Sequence, residues 1–347
     1  MKKLAVILLS IALGLLLLSL ILVNNHGVQD FLLKRAALLL MSTTVVENPI
    51  DALRIFVCGS SSPLPDPERA QACIAVITPQ HFFVIDSGAG STGNLMAAGL
   101  PLNRLDGVLL THFHSDHIAE LYEVNLNSWV QGRPDPLTIY GPAGVDEIVD
   151  GLNLVYRQDV VYRVEHHGEE LLPPRLGKLM AKLIVPGVIV DTGELKITAF
   201  AVDHRPVTPA VGYRIDYKGR SAVVTGDTIV STELEKMVVN LDLLLSDTLS
   251  LPVMEILSAA ARESGRDRNA KILKDVTAYH AHKINVVKLS KKAGVQLTGL
   301  YHLVPPPRNF IIEKFYQRDL PGNIILTEDN MWFTLRVGET GIDTDYP

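Results

Sequence analysis

Between His112 and His117 the chain reads His-Phe-His-Ser-Asp-His, three imidazoles and a carboxylate within six residues. These are the side chains that hold transition metals. His112 and His114 stand two apart on an extended segment and point the same way. Asp116 and His117 stand where a helix can begin and are aimed elsewhere. The cluster therefore offers ligands to two metals rather than one. Nitrogen and oxygen donors without thiolate favour zinc, with manganese or iron as the other fits. One His-x-His pair is a weak signal. The spacing His-x-His-x-Asp-His at the end of a strand is a specific one.

The elements around this motif must hold it open. Residues 106–111 read as a buried strand and residues 118–122 as the start of a helix. A strand that turns into a helix presents its side chains in a cleft at the open end of a sheet. Other strands end in the same residue types. Residues 53–57, 72–77 and 81–85 read as strands, and the third ends in Asp86, followed by Ser-Gly-Ala-Gly. Asp86 is either the orienting partner of a ligand histidine or an ordinary turn residue. Residues 58–65 read as a loop. Residues 137–140 read as a strand, and residues 141–144 open a helix.

Residues 195–202 form a strand ending in Asp203 and His204. Residues 211–217 and 221–225, separated by Lys218 and Gly219, read as a hairpin ending in Gly226, Asp227 and Thr228. Residues 241–245 lead to Asp247, and residues 296–301 lead to His302. Open α/β sheets place their sites at such strand ends. Residues 283–293 read as a helix closed by Gly294. Residues 154–186 are the least regular stretch. Their His166 and His167, flanked by Glu165 and Glu169, read as surface residues.

The chain has 347 residues and a formal charge of −6, with a positive mean hydropathy. That length suits one large domain or two small ones. The charge argues against a general nucleic-acid binder, while a local basic groove stays open. Two cysteines, Cys58 and Cys73, are too few for a disulfide scaffold or a zinc ribbon. They fall on neighbouring strands, as a bridge or as two buried thiols.

Residues 4–23 carry no charge and follow Lys2 and Lys3. This stretch is long enough to span a bilayer, and no small-x-small cleavage site follows it. It reads as an N-terminal transmembrane helix in preference to a signal peptide. Lys2 and Lys3 then stay in the cytoplasm and the rest lies outside, in a bacterial periplasm. An oxidising compartment favours the Cys58–Cys73 bridge. Residues 1–26 are thus the anchor. Residues 27–50 form a linker whose residues 31–41 make a short helix, on the membrane or on the domain.

From about residue 53 to 335 the chain resembles the metallo-β-lactamase superfamily. Within it, the chain is similar to the ribonuclease Z and arylsulfatase-like branch of zinc phosphodiesterases. The resemblance rests on Asp86, the motif from His112 to His117, His204, the run Gly212-Tyr-Arg-Ile215, residues Gly226 to Thr228, and His302. It implies an α/β fold, an αββα sandwich with two zinc ions at one edge, over a hydrolase domain of residues 51–340. The implied ligands are His112, His114 and His204 for one metal, and Asp116, His117 and His302 for the other. Asp227 bridges the two. His280 matches a family histidine that protonates the leaving group, although Ala281 and His282 replace its small hydroxyl neighbours. A His-Glu pair of the family is Ser246-Asp247 here, with Asp247 placed to orient His280.

That ligand set implies hydrolysis by an activated water, with Asp116 orienting the nucleophile or taking its proton. Need for an acid such as His280 favours phosphodiesters. β-Lactams, lactones, and sulfate or carboxylic esters are the alternative. The resemblance also implies nucleic acid as a substrate class and a homodimer. Many bacterial relatives insert a tRNA-gripping arm between the positions of His204 and Asp227. Here residues 205–226 hold only a tight hairpin, which favours small phosphodiesters or extracellular nucleic acid.

Overall fold

The structure is a computed structural model that describes residues 2–42, 50–64 and 66–346. It divides into two compact units, residues 1–47 and 48–347.

The first unit contains the helices Lys2–Val23 and His26–Ser42. Residues 27–50 are therefore helical over much of the expected linker, because the leucine-rich run 31–41 continues a helix begun at His26. Residues 43–49 of that linker lie outside the described residues. Among the described residues no single helix is long and apolar enough to cross a membrane. The segments Ser10–Val23 and His26–Leu39, bent by 80°, satisfy length and composition only as a pair.

In the second unit the strands are, in chain order, β1 Ala52–Gly59, β2 Cys73–Ile77, β3 Phe82–Ile85, β4 Gly107–Leu109, β5 Leu137–Gly141, β6 Leu179–Leu183, β7 Gly187–Asp191, β8 Leu195–Ala201, β9 Val211–Tyr217, β10 Arg220–Val224, β11 Leu243–Leu249, β12 Leu297–Val304, β13 Ile324–Leu326, β14 Trp332–Arg336 and β15 Asp343–Asp345. One sheet runs β15-β14-β1-β2-β3-β4-β5-β6 and the other β13-β12-β11-β10-β9-β8-β7. Strand β15 carries the sheet past residue 340.

Alternation along the strands builds the layers. Ile55 and Val57 of β1 join Ile74, Phe83, Ile197, Ile215, Val224 and Leu245 in a core shared by both sheets. Phe56 and Cys58 face the other way, with Val84, Val108 and Ile139, onto Leu95, Leu121 and Val149 of outer helices. Behind the second sheet, Phe200, Val223 and Leu244 meet Leu234 and Leu289. The result is an αββα sandwich.

Cys58 and Cys73 form a disulfide between β1 and β2, with Cα atoms 5.0 Å apart and a separation of 15 residues. Replacing both by alanine is expected to lower the unfolding free energy by about 3 kcal/mol for a loop of this length. The denaturant midpoint measures it. An unchanged midpoint would show that the bridge contributes nothing.

Several expectations need correction. β1 continues through Cys58 and Gly59, because Asn330 and Met331 pair with Val57 and support it. Residues 154–186 are not irregular. They hold the end of the helix Val145–Val155, the helix Arg157–His167 and strand β6. Val160 and Val164, four apart, pack on Trp129 and Leu126, a narrow stripe masked by surrounding charges. His166 and His167 therefore sit in a helical last turn rather than a loop, exposed as expected. Strand β7 was not expected. It is an edge strand of largely exposed residues and lacks a clean alternation. Finally, β11 and β12 do not end at Asp247 and His302 but run on to Leu249 and Val304.

Candidate metal centre

The parallel run β3-β4-β5 in one sheet and β10-β11-β12 in the other deliver their C-terminal ends to one edge of the sandwich. There β4 gives way to the loop 110–114 and the short helix Ser115–Ile118, with His114 as its N-cap residue. His204 follows β8, and Asp227 follows β10.

Asp247 and His302 arrive differently. β11 and β12 pair in parallel from Leu243–Leu297 to Asp247–Tyr301, then resume at Thr248–Leu303. His302 is the extra residue of a β-bulge, at φ 43°. The bulge turns its ring toward the edge while the strand continues. Asp86, at the end of β3, also adopts positive φ, at 57°. Such backbone in non-glycine residues concentrates at functional sites.

Asp227 is the centre of the arrangement. Its Oδ2 lies 3.7 Å from His112 Nε2 and 3.7 Å from His204 Nε2. Its Oδ1 lies 3.3 Å from both His117 Nε2 and His302 Nε2. One carboxylate thus faces two separate groups of imidazoles, one with each oxygen. His112, His114, His204 and Asp227 each offer an atom within 4.8 Å of the others, and so do Asp116, His117 and His302. A further set, Asp227, Asp247, His280 and His302, meets the same condition.

The rings of His117, His204 and His280 are oriented from behind. His117 Nδ1 lies 2.8 Å from Asp86 Oδ2, and Asp86 also accepts from the Thr111 amide and hydroxyl at 2.8 Å. Asp86 is therefore the orienting partner, not an ordinary turn residue. His204 Nδ1 donates to the Tyr279 carbonyl at 3.0 Å. Asp247 Oδ2 lies 2.9 Å from His280 Nδ1 and accepts from the Thr228 amide at 3.1 Å. Its Oδ1 lies 3.5 Å from His302 Nδ1. Such contacts fix the tautomer and leave the other nitrogen for a ligand.

The residues present suit a pair of cations. His117 Nε2 and Asp227 Oδ1 are buried, have no hydrogen-bond partner and face each other. Buried polar atoms without partners are rare. Burial works against charge on His117, yet Asp227, Asp86 and Asp116 hold its pKa well above the ordinary imidazole value. His302 behaves alike: burial lowers it, Asp227 and its hydrogen bonds raise it, and it is pushed up to about 10. A site that draws protons onto buried imidazoles is one that holds excess negative charge. His112, by contrast, is kept neutral by burial. The donors are all nitrogen and oxygen.

Gly226 lets Asp227 reach this position. It has φ 60°, and a Cβ there would lie 2.8 Å from Thr111 Cβ and 3.0 Å from the Val211 carbonyl oxygen. Gly226→Ala is expected to cost roughly 1–3 kcal/mol and to weaken metal retention. Thermal unfolding with and without added zinc measures both. Equal melting and equal metal content would show that the close approach is unimportant.

A cavity of about 320 Å3 opens onto the centre and is bordered by His114, Ser115, Asp116, Asp227, Tyr279 and His280. All nine of the residues expected from the sequence, His112, His114, Asp116, His117, His204, Asp227, Asp247, His280 and His302, converge here. Thr111 and Tyr279 were not singled out. Both act through contacts no spacing rule reveals, a hydroxyl to Asp86 and a backbone carbonyl to His204.

A family model described as a beta-lactamase superfamily domain matches residues 81–303. A ribonuclease Z of Mycolicibacterium gilvum (strain PYR-GCK) is 32% identical over 256 residues, covering 73% of this chain and 85% of that protein. A ribonuclease Z of Mycobacterium bovis (strain BCG / Pasteur 1173P2) is 33% identical over 256 residues, covering 73% of this chain and 86% of that protein. Among solved structures, the metallo-beta-lactamase fold protein YhfI from Bacillus subtilis aligns with a TM-score of 0.58 at 19% identity, over 82% of this chain and 99% of that one. The short form of human tRNase Z aligns at 0.57 and 19%, over 80% and 98%. These two likenesses concern the fold. The chain belongs to the metallo-β-lactamase superfamily of metal-dependent hydrolases, in the branch of the ribonuclease Z proteins.

Proposed function

We propose that this protein is a dinuclear zinc phosphodiesterase. The observation that carries this reading is Asp227, whose two oxygens address two separate imidazole groups. His112, His114 and His204 would hold one ion and Asp116, His117 and His302 the other, with Asp227 offering one oxygen to each group. Manganese or iron fits the same donors. Ions at this position supply Lewis acidity and a water of near-neutral pKa.

The remaining steps belong to side chains. Asp116 borders the cavity and lies 3.2 Å from His302 through Oδ2. It orients the incoming oxygen and receives its proton. His280 is held through Nδ1 by Asp247, so Nε2 is the atom left to protonate the departing alkoxide. A donor so placed suits poor leaving groups such as alkoxides. The ribonuclease Z relatives support an RNA-type phosphodiester as the bond class.

The N-terminal unit is proposed to tether the enzyme to a membrane, with the catalytic unit outside the cytoplasm. Ile21 and Leu15 are 67% and 62% exposed, so within its own unit this helix presents apolar surface. The disulfide supports an oxidising compartment.

The test uses the full-length chain in lipid nanodiscs with added zinc. Turnover is compared on bis(p-nitrophenyl) phosphate, an aryl sulfate, a chromogenic cephalosporin and a precursor tRNA. The phosphodiester is expected to be cleaved fastest. Turnover of the cephalosporin alone would refute the proposal. Fusing at Pro347 an alkaline phosphatase, which is active only outside the cytoplasm, tests the location. An inactive reporter would place the domain in the cytoplasm.

A further inference from the structure

The helices Leu251–Glu263 and Asp267–Val276 pair side by side next to the metal centre. Met254 forms a small cluster with Leu249 and Val304, against which Leu251, Leu273 and Val276 pack. One side of this cluster, with Ile272 and Leu64, also lines the cavity at the centre through Met254, Leu273, Val276 and Val304. No lysine or arginine stands among the described residues that line it. Ile272 is 53% exposed although it borders a cavity.

A second cavity of about 450 Å3 adjoins the first, since Leu64 and Leu273 line both. Its walls are again largely apolar, with Leu257, Ala260, Ala261, Pro305, Pro306 and Ile312. Arg266 and Arg308 are its cations, both absent from the inner cavity. Leu257, Ala260, Ala261 and Ser264 recur at helical spacing, so one helix face follows the groove. Leu64 and Leu273, shared by the two cavities, carry apolar lining from the neighbourhood of Asp116, Asp227 and His280 toward the outer cavity.

Within the inner cavity the next phosphate of a polyanion would meet no lysine or arginine, contrary to how nucleic-acid channels are built, and Arg266 and Arg308 stand only in the outer one. An aliphatic chain would lose water there at every methylene. Resting on the phosphodiesterase reading, we propose that the substrate is an amphiphile: a phosphodiester with an alkyl chain that lies in this groove while the phosphate sits at the metal centre.

The test is a series of p-nitrophenyl alkyl phosphates, with methyl, butyl and hexyl chains. The enzyme is the zinc-loaded full chain in nanodiscs. kcat/KM is expected to rise by roughly thirtyfold from methyl to hexyl, about twofold per methylene in a groove open on one side. Most of the gain should lie in KM. Ile272→Asn, beside the centre, is expected to flatten the whole series. Leu257→Asn, farther out, should remove only the gain from butyl to hexyl. Comparing the slope within each variant separates the groove from any general loss of activity. A flat series in the unaltered enzyme overturns the amphiphile proposal and leaves the phosphodiesterase reading standing. A rise that persists in both variants also overturns it, by placing the chain elsewhere. Failure to cleave any member sinks both readings.

Discussion

Asp227→Ala is expected to strip the protein of bound transition metal and to lower phosphodiester turnover by at least about 10^4-fold. The magnitude follows from what is lost. A water of near-neutral pKa supplies nucleophile at pH 7 in amounts that bulk water cannot approach. Asp227 faces both imidazole groups, at 3.7 Å with Oδ2 and 3.3 Å with Oδ1. Without it, five imidazoles face one another with less negative charge to hold cations among them. Asp227→Asn keeps the size and one oxygen, so the fold should survive while affinity drops. Elemental analysis of the purified variants, without chelator, reads metal per chain. Two ions per chain in Asp227→Ala would falsify the bridging assignment. Treating the unaltered enzyme with a strong chelator should reproduce the loss, and added zinc should restore activity. The Asp227 variants should not recover in this way.

Much of this centre was legible from residue types. His112 to His117 announce a metal site because nothing in packing requires three imidazoles and a carboxylate at a strand end. His204 and Asp227 were legible as strand endings, since β8 and β10 close near them. Asp247 and His302 gave the right residues for the wrong reason. Their strands run on to Leu249 and Val304, and a bulge at His302 aims the ring. Bulges depend on pairing with a neighbour and leave no local mark. The hairpin 211–224 was readable because Lys218 and Gly219 punctuate it, and both take positive φ. The helix Arg157–His167 was not, because only Val160 and Val164 of its residues pack inward, among many charges. The helix Leu251–Glu263 was not among the elements expected from the sequence. Only the tertiary placement shows that it borders a cavity.

His280→Ala is expected to slow cleavage of an alkyl phosphodiester by about 10^2- to 10^4-fold, the usual range for a positioned acid or base. Cleavage that expels p-nitrophenolate should fall much less, because that leaving group departs without a proton. The contrast separates proton donation from structural damage, which would slow both alike. The geometry motivates it: His280 borders the cavity, and its Nδ1 lies 2.9 Å from Asp247 Oδ2, which also accepts from Thr228. Asp247→Asn should show the same leaving-group contrast in weaker form, with the ring still present but less firmly held. It should also lower metal affinity, since Asp247 Oδ1 lies 3.5 Å from His302 Nδ1. His280→Ala is expected to lack that second effect, so its metal content should match that of the unaltered enzyme while the slow substrate stalls. The decisive measurement is the ratio of the two cleavage rates in each variant at constant metal occupancy. Should His280→Ala slow both leaving groups by the same factor, His280 is a structural residue of the cavity wall and the proton comes from elsewhere.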